Sequence, residues 1–229
     1  FANRKSMLIK IASVLDTAAL EKVQTLIATL RWKDGAETAG KTAREVKHNL
    51  QADLSSRMGK QLRETLYAAI AGHPVLQAAA QPARFSKLLV SKTEAGGGYG
   101  VHVDNAFMPH TDGKMRTDLS FTLFLSPPED YDGGALQIEH AGQSLTLKPT
   151  AGDLVLYPST SLHCVTEVTD GTRLACVGWI ESRVKRSEDR EILFDVANLK
   201  SELAKQHASQ SPEMLMTAKI LSNLTRRFS

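Results

Sequence analysis

The 229 residues suffice for one sizeable core and predict a single principal domain with appendages. Hydrophobic residues make up 42% and charged residues 23%, which excludes a disordered or fibrous chain, and no apolar run has the length of a membrane span. With 28 basic against 25 acidic residues the formal charge is only +3, so neither a nucleic-acid nor a membrane partner is expected.

Residues 1–6, ahead of Met7, read as a leader or expression remnant. No apolar segment followed by a small-residue cleavage site is present near Met7, and a cytoplasmic location is expected. Cys164 and Cys176 stand in no C-x-x-C or metal-type spacing, so reduced thiols are expected.

The first third predicts helices. Leu20, Val23, Leu26, Ile27 and Leu30 recur at helical spacing after a cap at Asp16, and Leu54, Met58, Leu62, Leu66 and Ile70 repeat the pattern. Between them, residues 34–49 are polar with Gly35 and Gly40, and predict a loop or short extended excursion.

From Arg84 the pattern changes to short runs rich in β-branched and aromatic residues, separated by turn residues. Strands are expected at 85–92, 100–104, 119–125, 135–139, 144–148, 153–157, 163–168 and 173–180. Within 119–125, Leu119, Phe121, Leu123 and Leu125 share one face, while Ser120 and Thr122 share the other and can line a cavity. Asp132-Gly133-Gly134, Ala141-Gly142, Ala151-Gly152-Asp153 and Asp170-Gly171 supply turns. Residues 105–117, with Pro109 and Gly113, read as a long polar loop, a lid or an ordinary surface loop.

After about Asp195 helix returns, and Ser211-Pro212-Glu213 has the form of an N-cap with proline at the first helical position. These terminal helices pack on the core or form a homo-oligomer interface. The basic cluster Arg183-Val184-Lys185-Arg186 with Arg190 alternates with Glu188, Asp189 and Glu191, and reads as a solvated mixed-charge surface. The expected division is 1–6 leader, 7–80 helical region, 81–182 β domain and 183–229 helical extension.

His102-Val103-Asp104 falls in an extended segment, so its outer two side chains share a face about 7 Å apart. A hydrogen-bonded His and Asp on a sheet would explain that triplet equally well. His163 at the start of a later strand raises its meaning, because two imidazoles and one carboxylate form the facial triad of non-haem iron(II) oxygenases, which leaves three coordination positions open. Oxoglutarate fills two of them and dioxygen the third. Arg173, ten positions on, opens the apolar run Leu174-Ala175-Cys176-Val177 and offers a permanently charged fork for the distal carboxylate. His48, His73, His110, His140 and His207 have no partner at ligand spacing and receive no role.

Tyr99-Gly100-Val101-His102-Val103-Asp104-Asn105, Arg116-Thr117-Asp118-Leu119-Ser120, Tyr131-Asp132-Gly133-Gly134, the run from Ala151 to Pro158, and Ser161-Leu162-His163 resemble the bacterial PKHD-type hydroxylases, relatives of prolyl 4-hydroxylase. With the early helices, Val46-Lys47 and Asn49, the resemblance extends over nearly the whole chain. It implies an α+β fold with a mainly β core, a double-stranded β-helix (jelly roll) flanked by N-terminal and C-terminal helices. It also implies iron(II), 2-oxoglutarate and O2 as reactants, L-ascorbate as reductant, and Tyr99 as a hydrogen-bond donor near the oxoglutarate. The substrate is a small molecule or a peptide. Ala135 stands where relatives usually carry Glu, away from the ligand positions. Asn105, Asp118 and Ser120 stand nearby without an assigned role. Two other readings are an AlkB-like nucleic-acid demethylase, which would need a basic groove, and a non-catalytic jelly-roll metal-binding module.

Overall fold

The computed structural model describes residues 7–35 and 45–229; the expected leader at 1–6 and the middle of the 34–49 segment lie outside the described residues. The chain enters through β1 (Ile9–Ile11) and α1 (Thr17–Ile27), where Asp16 caps the helix by accepting the Ala19 N–H at 2.8 Å. After β2 (Trp32–Asp34), β3 (Lys47–His48) and β4 (Leu50–Ala52) come α2 (Arg57–Gly72), capped by Ser56, and the short α3 (Pro74–Ala80). The excursion expected at 34–49 therefore has extended pieces at both of its described ends, and Leu54 precedes the second helix instead of joining it.

The β region runs β5 (Pro82–Phe85), β6 (Leu89–Glu94), β7 (Gly98–His102), β8 (Phe107–His110), β9 (Gly113–Arg116) and β10 (Leu119–Phe124). It continues with β11 (Tyr131–Gly133), β12 (Leu136–His140), β13 (Gln143–Leu147), β14 (Leu154–Pro158), β15 (His163–Val165) and β16 (Val168–Ser182). Helices α4 (Ser187–Leu203) and α5 (Pro212–Phe228) follow, the latter capped by Ser211 as expected. Helix α4 begins ahead of the expected Asp195.

Two sheets carry the architecture. The larger has the order β1-β14-β10-β16-β6-β4-β2, with β5 and β11 also on β16; the smaller has the order β13-β12-β15-β7-β3. Together with the flanking helices they form the α+β double-stranded β-helix that the resemblance implied. The alternation within β10 works as expected. Leu119, Phe121 and Leu123 pack with Val23, Leu66, Ile70 and Leu76 of the helices, whereas Phe124 joins Leu136, Ile138, Val155 and Tyr157 in a second cluster. Full burial of each such side chain contributes on the order of 1.5–3 kcal/mol, so the helical layer is a structural wall and the opposite face of the sheet is free to hold polar groups.

Three strand boundaries differ from expectation. The single strand at 85–92 is two, because the Ser86 hydroxyl accepts the Trp179 N–H at 2.9 Å and interrupts the ladder between them. Asp170-Gly171 is no terminal turn: both residues pair with β11, and Gly171 adopts φ 75° where an added Cβ would strike the Asp130 carbonyl. The expected loop at 105–117 contains the β8–β9 hairpin, paired from Phe107↔Arg116 to His110↔Gly113.

Candidate metal centre

Strands β7 and β15 run antiparallel with His102 opposite His163, which brings the two imidazole centroids to 4.2 Å. Asp104 lies beyond the end of β7, so its position does not follow from the pleat; a side-chain bond sets it. The Ser120 hydroxyl donates to Asp104 Oδ2 at 2.6 Å and lies 2.7 Å from the Ser159 hydroxyl. One ligand atom from each of His102, Asp104 and His163 lies within 4.8 Å of the others, and no other such group of three occurs among the described residues.

The backbone selects the tautomers. His102 Nδ1 meets the Gly100 carbonyl at 2.8 Å and His163 Nδ1 meets the Ser161 carbonyl at 3.0 Å. A carbonyl only accepts, so each Nδ1 carries the hydrogen and each Nε2 presents a lone pair. His163 Nε2 stands 3.7 Å from Asp104 Oδ2. Burial, reinforced by the neighbouring His163, pushes the His102 imidazole down to about 4, toward the neutral form that binds metals.

Aromatic side chains close the site. Tyr99 stacks on His102 with centroids 3.6 Å apart, and Tyr157 meets His163 edge-on at 5.1 Å. Burial raises the Tyr99 phenol to about 12, so it stays a hydrogen-bond donor at neutral pH. Lys47 Nζ lies 5.3 Å from the Tyr99 ring centre, and burial lowers it to about 8 against the opposing pull of Asp104.

Arg173 points from β16 into the same cavity, only 2% exposed, with its guanidinium 5.2 Å from the Phe124 ring centre. Its Nε and Nη2 are buried without a hydrogen-bond partner. A guanidinium in that state is costly unless an anion completes it. The buried Tyr131 hydroxyl beside it is the first of the groups that favour the Arg173 charge against its burial. The donor set therefore fits a divalent iron, and the orphaned cation fits the far carboxylate of a dicarboxylic acid.

Of Asn105, Asp118 and Ser120, Ser120 is the one that hydrogen-bonds to a triad side chain. Asp118 turns away to take Arg116 on both oxygens, at 2.6 and 2.8 Å, and the Ser182 N–H at 2.8 Å. Asn105 lines the cavity and accepts the Thr117 hydroxyl through its carbonyl. Ser159, Tyr157 and Tyr131 had no expected role: Tyr157 lies within the apolar strand β14, Ser159 directly follows it, and Tyr131 opens β11.

Residues 88–181 match the family model of the 2OG-Fe(II) oxygenase superfamily. The fold and the site thus define an enzyme that uses iron(II), 2-oxoglutarate and O2. A PKHD-type hydroxylase of Hyphomonas neptunium is 51% identical over 222 residues, 97% of this chain and 99% of that protein. One of Synechococcus elongatus is 43% identical over 223 residues, 97% and 100% of the two chains. The chain belongs to the PKHD-type hydroxylase family.

Solved structures agree on the fold. A prolyl hydroxylase from Trichoplax adhaerens, in complex with a hypoxia inducible factor oxygen degradation domain peptide, aligns with TM-score 0.59 at 17% identity, over 83% of this chain and 88% of that one. HygX from Streptomyces hygroscopicus, with nickel and 2-oxoglutarate bound, aligns with TM-score 0.55 at 13% identity, over 78% and 84%.

Proposed function

We propose that His102 and His163, each through Nε2, and Asp104 through its carboxylate hold the iron(II), and that Arg173 binds the distal carboxylate of 2-oxoglutarate. The observation that carries this reading is the buried Arg173 guanidinium, its Nε and Nη2 without a hydrogen-bond partner, in the cavity that also contains the three ligand atoms. When bound, the iron and oxoglutarate supply the oxidising chemistry: O2 is consumed, oxoglutarate becomes succinate and CO2, and a substrate C–H bond is hydroxylated.

The protein's own groups orient and shield. Gly100 and Ser161 fix the imidazole tautomers, and Ser120 turns the Asp104 carboxylate. Tyr157 and Phe124 keep water from the site, which strengthens the pull of Arg173 on its anion. Tyr99 donates its phenolic hydrogen to the bound oxoglutarate. L-ascorbate serves as reductant, and the substrate is a small molecule or a peptide encountered in the cytoplasm. No helix among the described residues is long and apolar enough to cross a membrane. Family membership favours hydroxylation over AlkB-like demethylation and over a non-catalytic module.

The test is an anaerobic titration with iron(II) and 2-oxoglutarate that follows the visible charge-transfer band of the chelate. A saturable band, lost in Asp104→Ala, is expected; absence of any band in the unaltered protein would overturn the assignment.

A further inference from the structure

A second cleft, of about 560 Å³, meets the metal cavity at Val103 and Asp104, which line both. Its size is that of a small-molecule site. Three cations line it, Arg116, Lys185 and Arg190, against the carboxylates of Asp104 and Asp118. Asp104 is committed to the triad, and Asp118 is held by Arg116 on both oxygens. The nearby acids Glu188 and Asp189 are engaged by Arg186 at 2.6 and 3.7 Å. With Asp104 set aside, the four cations Arg116, Lys185, Arg186 and Arg190 outnumber the three carboxylates Asp118, Glu188 and Asp189 by one, and Lys185 and Arg190 are the two that form no ion pair among the described residues.

Arg190 is built into the wall. It is 4% exposed, and its Nη1 donates to the carbonyls of Val184 at 2.8 Å and Lys185 at 3.0 Å. Among the described residues its Nε and Nη2 make no hydrogen bond. A guanidinium has five N–H donors, so this one is anchored at one corner and open at another. Thr160 adds a hydroxyl to the cleft, while Phe107 (59% exposed) and Val103 (52%) add apolar surface.

We propose that this cleft receives the prime substrate and binds a carboxylate or phosphate group of it through Arg190 and Lys185, with the carbon to be hydroxylated turned toward Asp104. The proposal rests on the metal assignment made above. It also gives a purpose to Lys185 and Arg190 of the basic cluster at 183–190, which as sequence reads only as solvated surface. A fixed guanidinium supplies direction to an anionic group, and a mobile lysine adds charge at the rim.

The experiment uses the anaerobic holoenzyme saturated with iron(II) and 2-oxoglutarate. N-acetylaspartate α-amide, N-acetyl-O-phosphoserine amide and neutral N-acetylasparagine amide are titrated by calorimetry while the chelate band is followed. At least one acidic probe should bind saturably, on the order of 10-fold tighter than the neutral one, and Lys185→Glu should weaken it by a similar factor. The two acidic arms separate carboxylate from phosphate recognition. Arg190→Lys is the second variant, but Lys185 is exposed, so its replacement tests the idea even if the Arg190 variant misfolds.

Equal affinity for acidic and neutral probes overturns the proposal, as does acidic binding unaffected by Lys185→Glu. Displacement of the chelate band by an acidic probe also overturns it, since the probe would then occupy the Arg173 site. If no band forms at all, it is the metal assignment that fails, and titration of the metal-free protein still reports the charge preference of the cleft.

Discussion

The Ser120 hydroxyl donates to Asp104 Oδ2 at 2.6 Å while lying 2.7 Å from the hydroxyl of Ser159, so the carboxylate beyond the end of β7 is aimed from β10 and the turn after β14. Asp104 has no strand partner to hold it, and this hydroxyl pair replaces one. Ser120→Ala should therefore weaken iron(II) binding by about 10- to 100-fold, the usual effect of removing a hydrogen bond to a metal-binding side chain. The anaerobic titration checks it, with circular dichroism to confirm that the barrel persists. An unchanged affinity would leave Asp104 positioned by its backbone alone.

Arg173 predicts two effects of opposite sign. Replacing it with Met should weaken 2-oxoglutarate binding by on the order of 100-fold, equivalent to about 3 kcal/mol for a charge-assisted pair. The same variant should melt higher than the parent when both are free of ligand, because a buried guanidinium with two unpartnered N–H sites is a burden on the ligand-free protein. Thermal unfolding with and without oxoglutarate reads both. A ligand-free variant that melts lower would mean that Arg173 chiefly supports the core.

Asp118 offers the contrasting case. Its carboxylate is bound to Arg116 and to the Ser182 N–H, away from the triad. Asp118→Ala should cost about 2–3 kcal/mol of stability and leave the oxoglutarate affinity of the folded protein intact. Chemical denaturation and the chelate titration separate the two; a selective loss of oxoglutarate binding would return Asp118 to the site.

Cys176 is fully buried in the helix-facing layer, and burial raises its thiol to about 12. A raised value in the folded state means that the stabilising contribution is complete below the ordinary thiol range and is lost as pH climbs from about 9 toward 12. At pH 8 a thiol reagent should accordingly leave Cys176 untouched until the protein unfolds. Mass spectrometry after alkylation in native and denaturing buffer checks this, and prompt native labelling of Cys176 would contradict the packing.

Much of this protein was legible in its sequence where the signal is local. Asp16 and Ser211 announce their helices because a cap is a contact over three residues. Leu119, Phe121 and Leu123 separate from Ser120 and Thr122 because a strand alternates its faces. The H-x-D triplet, His163 and Arg173 stand out because their chemistry is scarce in apolar surroundings.

Tertiary structure decided what depends on distant strands. It set His102 opposite His163 across β7 and β15, and it left Asp104 outside the strand to be aimed by Ser120 and Ser159. It also split the expected 85–92 strand at Ser86 and carried Lys185 and Arg190 of the basic cluster to a cleft beside the triad. Periodicity reports which way a side chain faces but not what it meets. In a jelly roll the partners come from strands far apart in the chain, so those meetings are settled only when the two sheets close on one another.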